Sequence, residues 1–140
     1  MTPNAKLYAK NVSKIFEGAH KPIEALRDVS FSVEKNELCV LLGPSGCGKS
    51  TLLNIVAGLH EPTSGSAFLD GKEIFGPAKE RGMVFQGYTS FPWLTVFENV
   101  EYGMKLNGVP KAERHKRADE YVDLVHLTKF RDAYPKNLSG

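Results

Sequence analysis

The sequence predicts an α/β fold built around a phosphate-binding loop, and three neighbouring features point to it. Gly43-Pro44-Ser45-Gly46-Cys47-Gly48-Lys49-Ser50-Thr51 fits the spacing G-x-x-x-x-G-K-[ST]. The apolar run Leu38-Cys39-Val40-Leu41-Leu42 precedes it and reads as a buried strand, and Thr51 to Ala57 reads as a helix. A loop passing from strand to helix is the setting in which this spacing grips phosphate. Glycines let the chain curl until successive N–H groups face inward, and the helix start adds the positive end of its dipole. Lys49 then reaches the β- and γ-phosphates as a point charge, and the Ser50 hydroxyl suits Mg²⁺. The bland alternative is a glycine-rich turn that binds nothing; the flanking strand and helix signals argue against it.

The first third alternates as half-buried strands do. Leu7, Ala9 and Asn11 share one face, Ile15-Phe16 lead into a turn at Glu17-Gly18, and Val29, Phe31 and Val33 repeat the period. After the loop, Leu52, Leu53, Ile55 and Val56 make a buried helix that Gly58 ends. Pro62-Thr63-Ser64-Gly65 is a turn, Ser66 to Leu69 a strand, and Asp70-Gly71 a hairpin signal. Met83-Val84-Phe85, ending at Gln86, reads as a second buried strand. From Gly87 the character becomes helical. Thr95 with Glu98 three residues on is a capping box that opens a helix to about Leu106, closed by Asn107-Gly108. Pro110 suits the first turn of the next helix, with Ala118, Tyr121, Val122 and Val125 as its apolar stripe. Pro135 stops any helix before Leu138-Ser139-Gly140.

The whole chain of 140 residues is the size of one domain, and 41% hydrophobic with 24% charged residues is an ordinary globular balance. A net charge of +2 offers no footprint for nucleic acid. Lys111 to Glu120 alternates in sign, with Glu113/Arg117 and Lys116/Glu120 spaced to pair on a solvated helix face. Cys39 reads as a small buried hydrophobe and Cys47 as a loop position valued for its backbone N–H, which together suit a reducing compartment. His20, His60, His115 and His126 show no metal-ligand spacing. No run approaches eighteen apolar residues, and the first residues lack the apolar core of a signal peptide, so a cytoplasmic location is expected.

Taken in order, these motifs resemble the ATP-binding subunit of an ABC transporter over essentially the whole chain. The phosphate loop is followed by Leu52-Leu53 and Ala57-Gly58-Leu59. Thr63-Ser64-Gly65 with Asp70-Gly71 is similar to the family's N-terminal hairpin, and Met83 to Gln86 to its Q-loop strand. Phe91 to Val100 is similar to the opening of the helical subdomain, and Tyr134 to Gly140 to the lead-in and first half of the signature motif. The wording Phe-Pro-Trp-Leu-Thr is most similar to importers of nitrate, sulfonate and taurine. The resemblance implies a P-loop NTPase fold, a RecA-like core with an N-terminal antiparallel β part, the start of an α-helical subdomain and an incomplete C-terminal half. It places the core at 1–86 and the subdomain at 87–140.

The same resemblance assigns roles. Phe16 stands where an aromatic stacks on adenine; the bland reading is a core phenylalanine. Gln86 would contact Mg²⁺ and the attacking water, against a plain strand-end polar residue. Phe91 and Trp93 are either an exposed knob for a membrane partner or the subdomain's own core. Ser139 would touch ATP held by the opposite subunit of a homodimer or heterodimer. ATP and Mg²⁺ are the implied cofactors and an integral-membrane permease the implied partner, with this subunit peripheral at the cytoplasmic face of the cell membrane. Asn36-Glu37 replaces the family's usual Gly-Glu, which is tolerable because Asn adopts the left-handed conformation. The chain stops inside the signature motif, before the family's metal-binding Asp, catalytic Glu and switch His. No acidic pair follows an apolar strand, since Asp70 belongs to a turn and Glu98 to a cap. The expectation is therefore weak ATP binding with negligible hydrolysis by these residues alone. Two other classes compete: a small-molecule kinase or GTPase, disfavoured by the lack of Asn-Lys-x-Asp, and a non-catalytic module that binds a partner through the helical segment.

Overall fold

A computed structural model describes residues 5–87 and 89–138, which fall into two compact units, Met1–Val84 and Phe85–Gly140. In the first, strands β1 (Ala5–Phe16), β2 (Ile23–Glu34), β3 (Ser64–Leu69) and β4 (Lys72–Glu73) form one antiparallel sheet in the order β2-β1-β3-β4. The Asp70-Gly71 signal makes the expected tight hairpin: both residues have positive φ, 49° and 74°, which matches the right-handed twist of the flanking strands. Lys6 adds an ion pair to Asp70 at 2.6 Å.

Helix α1 (Lys49–Ala57) packs on the sheet, burying Leu52 and Ile55 against Ala9, Val12, Leu26 and Ala67. Ile55 and Val12 are essentially sealed from solvent, worth roughly 1.5–3 kcal/mol each. Leu53, expected inside, faces out. The period-two reading also slips in β1, where Asn11 is exposed and Val12 takes the core place. A bulge between Ala9 and Val12 explains it, because one inserted residue reverses the facing of everything beyond it. Asn11 and Asp28 both adopt positive φ there. Side chains replace the lost ladder bonds: Asn11 N–H donates to Ser30 Oγ at 2.8 Å and Asp28 N–H to Ser13 Oγ at 2.9 Å. Asn36 sits at φ 65°, the left-handed conformation its residue type allows.

Two expected strands do not form. Leu38–Leu42 and Met83–Phe85 lie outside any strand, with Leu38 and Leu42 each 88% exposed and Val84 98%. Buried parallel strands need hydrogen-bonded neighbours and cover on both faces. Among the described residues neither run has a strand beside it. Only Leu41 leans on the core, and Cys39, expected buried, is exposed.

The second unit holds α2 (Val96–Leu106) and α3 (Lys111–Leu124), then short 3-10 turns at Thr128–Phe130 and Pro135–Asn137. The capping box is present in both directions: Glu98 N–H donates to Thr95 Oγ1 at 3.2 Å and Thr95 N–H to Glu98 Oε2 at 2.8 Å. Val96 and Phe97 pack on Ala118 and Val122. Tyr121 and Val125, expected in that stripe, are about half exposed, so the buried seam is the narrower pair four residues apart. Pro110 caps α3 instead of entering its first turn. Of the two expected ion pairs, Glu113–Arg117 is made at 3.5 Å, whereas none joins Lys116 to Glu120 among the described residues. Buried Glu101 accepts from Arg114 Nε at 2.8 Å and lies 3.2 Å from His115 Nε2. No described helix is long and apolar enough to cross a membrane.

Candidate functional site

The phosphate loop is shaped by what surrounds Gly48. This residue is the N-cap of α1 with φ 93°, a conformation that strains any side chain. A Cβ there would also lie 2.4 Å from the Ala25 carbonyl oxygen and 2.8 Å from Leu26 Cδ2. Glycine therefore lets the loop close onto β2 and turn into the helix in one step. No side chain caps α1, and its first turn carries no acidic residue. Its leading N–H groups are thus left for an outside acceptor, and the dipole favours an anion there.

Lys49 folds back over the same loop. Its Nζ donates to the carbonyl oxygens of Gly43 and Pro44, each at 2.7 Å, and approaches Cys47 Sγ at 3.4 Å. The ammonium is held among Gly43, Pro44 and Cys47, which places its charge over the loop. Ser45, Gly46 and Ser50 are exposed and Thr51 is half-buried. Gly43 to Thr51 thus lie together at the start of α1, with the Lys49 ammonium folded over the loop and Ser50 exposed in the first helical turn. Backbone amides at an uncapped helix start beside a lysine are a donor set that would suit a polyphosphate, and a serine hydroxyl there would suit its divalent cation.

The remaining expected residues are distributed differently. Phe16 ends β1 and is half-buried, neither a core phenylalanine nor a free ring. His60 meets it edge-on with centroids 5.7 Å apart, and the Lys14 ammonium lies 5.2 Å from its centroid. Gln86 is exposed, in no strand, and belongs to the second unit. Ser139 and Gly140 lie outside the described residues. Trp93 is 69% exposed while Phe91 is half-buried against Trp93 and Tyr102, so the pair divides between the two readings of the segment.

Residues 26–140 match the family described as ABC transporter. The chain belongs to the ABC transporter family. Among curated members of that family, an uncharacterized ABC transporter ATP-binding protein of Methanocaldococcus jannaschii is 50% identical over 96% of this chain and 51% of its own length. The nitrate import ATP-binding protein of Synechocystis is 45% identical over 93% of this chain and 49% of its own. The taurine import ATP-binding protein of Pelagibacter ubique is also 45% identical, over 96% and 51%. The chain thus spans about half the length of these ABC relatives. Two solved ABC cassettes share its fold. A dimeric bacterial ABC transporter cassette superposes with TM-score 0.83 at 33% identity, over 96% of this chain and 63% of that one. A dimeric post-hydrolysis ATP-binding cassette bound to ADP and Pi gives TM-score 0.79 at 32% identity, over 95% and 63%. At these identities the α/β fold is that of the corresponding part of an ABC ATPase cassette.

Sequence reasoning missed Arg81. Its guanidinium donates to the Gly76 carbonyl and, at 3.4 Å, to that of Ala57, the last residue of α1. A cation there satisfies orphan carbonyls and complements the dipole of the helix that carries Lys49. No local pattern could have linked residues 24 positions apart.

Proposed function

We propose that this chain is the nucleotide-gripping part of the ATP-binding subunit of an ABC-type importer, with a small anion of the nitrate or sulfonate kind as the transported class. The observation that carries the reading is the Lys49 ammonium fixed 2.7 Å from the Gly43 and Pro44 carbonyls at the uncapped start of α1. The amides from Gly43 to Thr51 cradle the β- and γ-phosphates, and Lys49 neutralises charge between them. Ser50 would hold the Mg²⁺ ion, which would supply positive charge to the phosphates, and Gln86 is proposed as a metal-contacting and water-positioning residue. Phe16 offers a flat face to adenine, and Ser139 reaches ATP on a second subunit. The nitrate and taurine import names of its relatives support the transport role, and the dimeric cassettes support pairing of subunits. Such a subunit would sit peripherally at the cytoplasmic face of the membrane, bound to an integral-membrane permease.

Binding without appreciable turnover is the activity we assign to these residues alone. Asp70 is engaged by Lys6 and Glu98 by the cap of α2, so neither is placed to orient an attacking water. Calorimetric titration of Mg·ATP into the chain should give binding that Lys49→Ala abolishes, with phosphate release no faster than buffer. Absence of Lys49-dependent heat would overturn the nucleotide reading. Lys49-dependent phosphate release would overturn the assignment of binding only. The exposed Trp93 favours partner engagement as a second role of the same chain.

A further inference from the structure

The stretch leaving α1 is stitched to the end of β1. Gly58 ends the helix in the left-handed conformation, φ 79°, and the N–H groups of Leu59 and His60 both return to the Asn54 carbonyl at 2.8 and 3.3 Å. His60 thus belongs mechanically to α1, the helix whose first residue is Lys49. The next residues hold β1. Lys14 Nζ donates to the Glu61 carbonyl at 2.7 Å, Thr63 N–H to the Ser13 carbonyl at 2.8 Å, and Ile15 N–H to Thr63 Oγ1 at 3.0 Å. Between these ties the His60 ring stands 80° to the Phe16 ring with centroids 5.7 Å apart. That edge-to-face arrangement is favourable because the positive rim of one ring meets the negative face of the other.

We propose that His60 is a positioning residue of the nucleotide site: it fixes the Phe16 ring relative to α1, so that base stacking and phosphate binding are set by one rigid connection. The proposal rests on the reading of Phe16 as the adenine platform. A half-buried ring with two rotatable side-chain bonds loses orientational freedom through this contact, and a platform already oriented stacks a base at lower entropic cost. Lys14, whose ammonium is pinned over the ring by the Glu61 carbonyl, reinforces the same orientation.

The test compares Mg·ATP with Mg·triphosphate, the inorganic chain lacking the base, in the 140-residue protein. Wild type should prefer ATP by about tenfold, the size of one base–aromatic stack. Phe16→Ala should remove that preference. His60→Ala should cut it to about threefold or less while leaving triphosphate affinity unchanged, and His60→Phe, which restores an edge-on ring, should recover it. If Phe16→Ala erases the preference but His60→Ala does not, the positioning role falls and the platform stands. If Phe16→Ala leaves the preference intact, the platform reading falls and takes the proposal with it. Equal loss of both ligands in His60→Ala would mark a merely structural residue and overturn the proposal, as would failure of His60→Phe to rescue. Wild-type protein that binds neither ligand would overturn the phosphate site on which both depend.

Discussion

Asn99 and Phe91 hold each other through a pair of hydrogen bonds: Phe91 N–H donates to Asn99 Oδ1 at 2.8 Å, and Asn99 Nδ2 donates back to the Phe91 carbonyl at 3.1 Å. The same Nδ2 also reaches the carbonyls of Leu94 at 3.0 Å and Thr95 at 2.9 Å. One side chain from α2 therefore closes the whole bend that presents Trp93 to solvent. Asn99→Asp puts a negative oxygen against three carbonyls and should loosen the bend at about 1–3 kcal/mol. Trp93 is the chain's sole tryptophan, so its fluorescence reads the bend directly. Red-shifted emission and easier acrylamide quenching are expected; an unchanged spectrum would show that the bend holds without Asn99.

Gly48→Ala should damage folding and ligand binding together. The added Cβ meets the Ala25 carbonyl in a backbone conformation that already disfavours it, and the left-handed strain alone costs about 1–2 kcal/mol. A lower melting temperature with loss of Mg·ATP heat is the expected result. Gly46→Ala, where a Cβ meets nothing within 4 Å, pays the backbone strain alone and should melt nearer to wild type.

In the second unit, removing Arg114 leaves the buried Glu101 carboxylate with only the His115 ring, 3.2 Å away. Arg114→Met should destabilise that unit by about 1–3 kcal/mol, the cost of losing the charged partner of a buried group. Restoring neutrality with Glu101→Gln in the Arg114→Met background should regain part of the loss in urea unfolding. Additive losses would show that the two side chains do not interact.

At the exposed end of β2, hydrogen bonds from Arg27 hold the Glu24 carboxyl below its ordinary range. A lowered folded pKa adds stability above the unfolded value and loses it as pH falls through the folded one. Solvent screening keeps that contribution small. Arg27→Ala should therefore raise the Glu24 titration midpoint in a carboxyl-detected NMR titration. An unmoved midpoint would dissolve the link.

Sequence by itself determined the features that live within a few residues of each other. The Thr95/Glu98 cap, the Gly58 helix stop, the Asp70-Gly71 hairpin and the left-handed Asn36 each depend on backbone geometry and on partners no more than about four positions away, and the phosphate-loop spacing is a pattern of nine consecutive residues. Tertiary structure alone decided the rest. Leu38–Leu42 is as apolar as a buried strand, but a strand exists only where another supplies its ladder, and the described residues supply none. Asn11 lost its place on the core face to a bulge whose other half, Asp28, comes from a different strand. Arg81 on Ala57, Asn99 around Trp93 and His60 on Phe16 were likewise invisible, because apolar pattern and local propensity record what a residue prefers and not which distant group the chain brings to meet it.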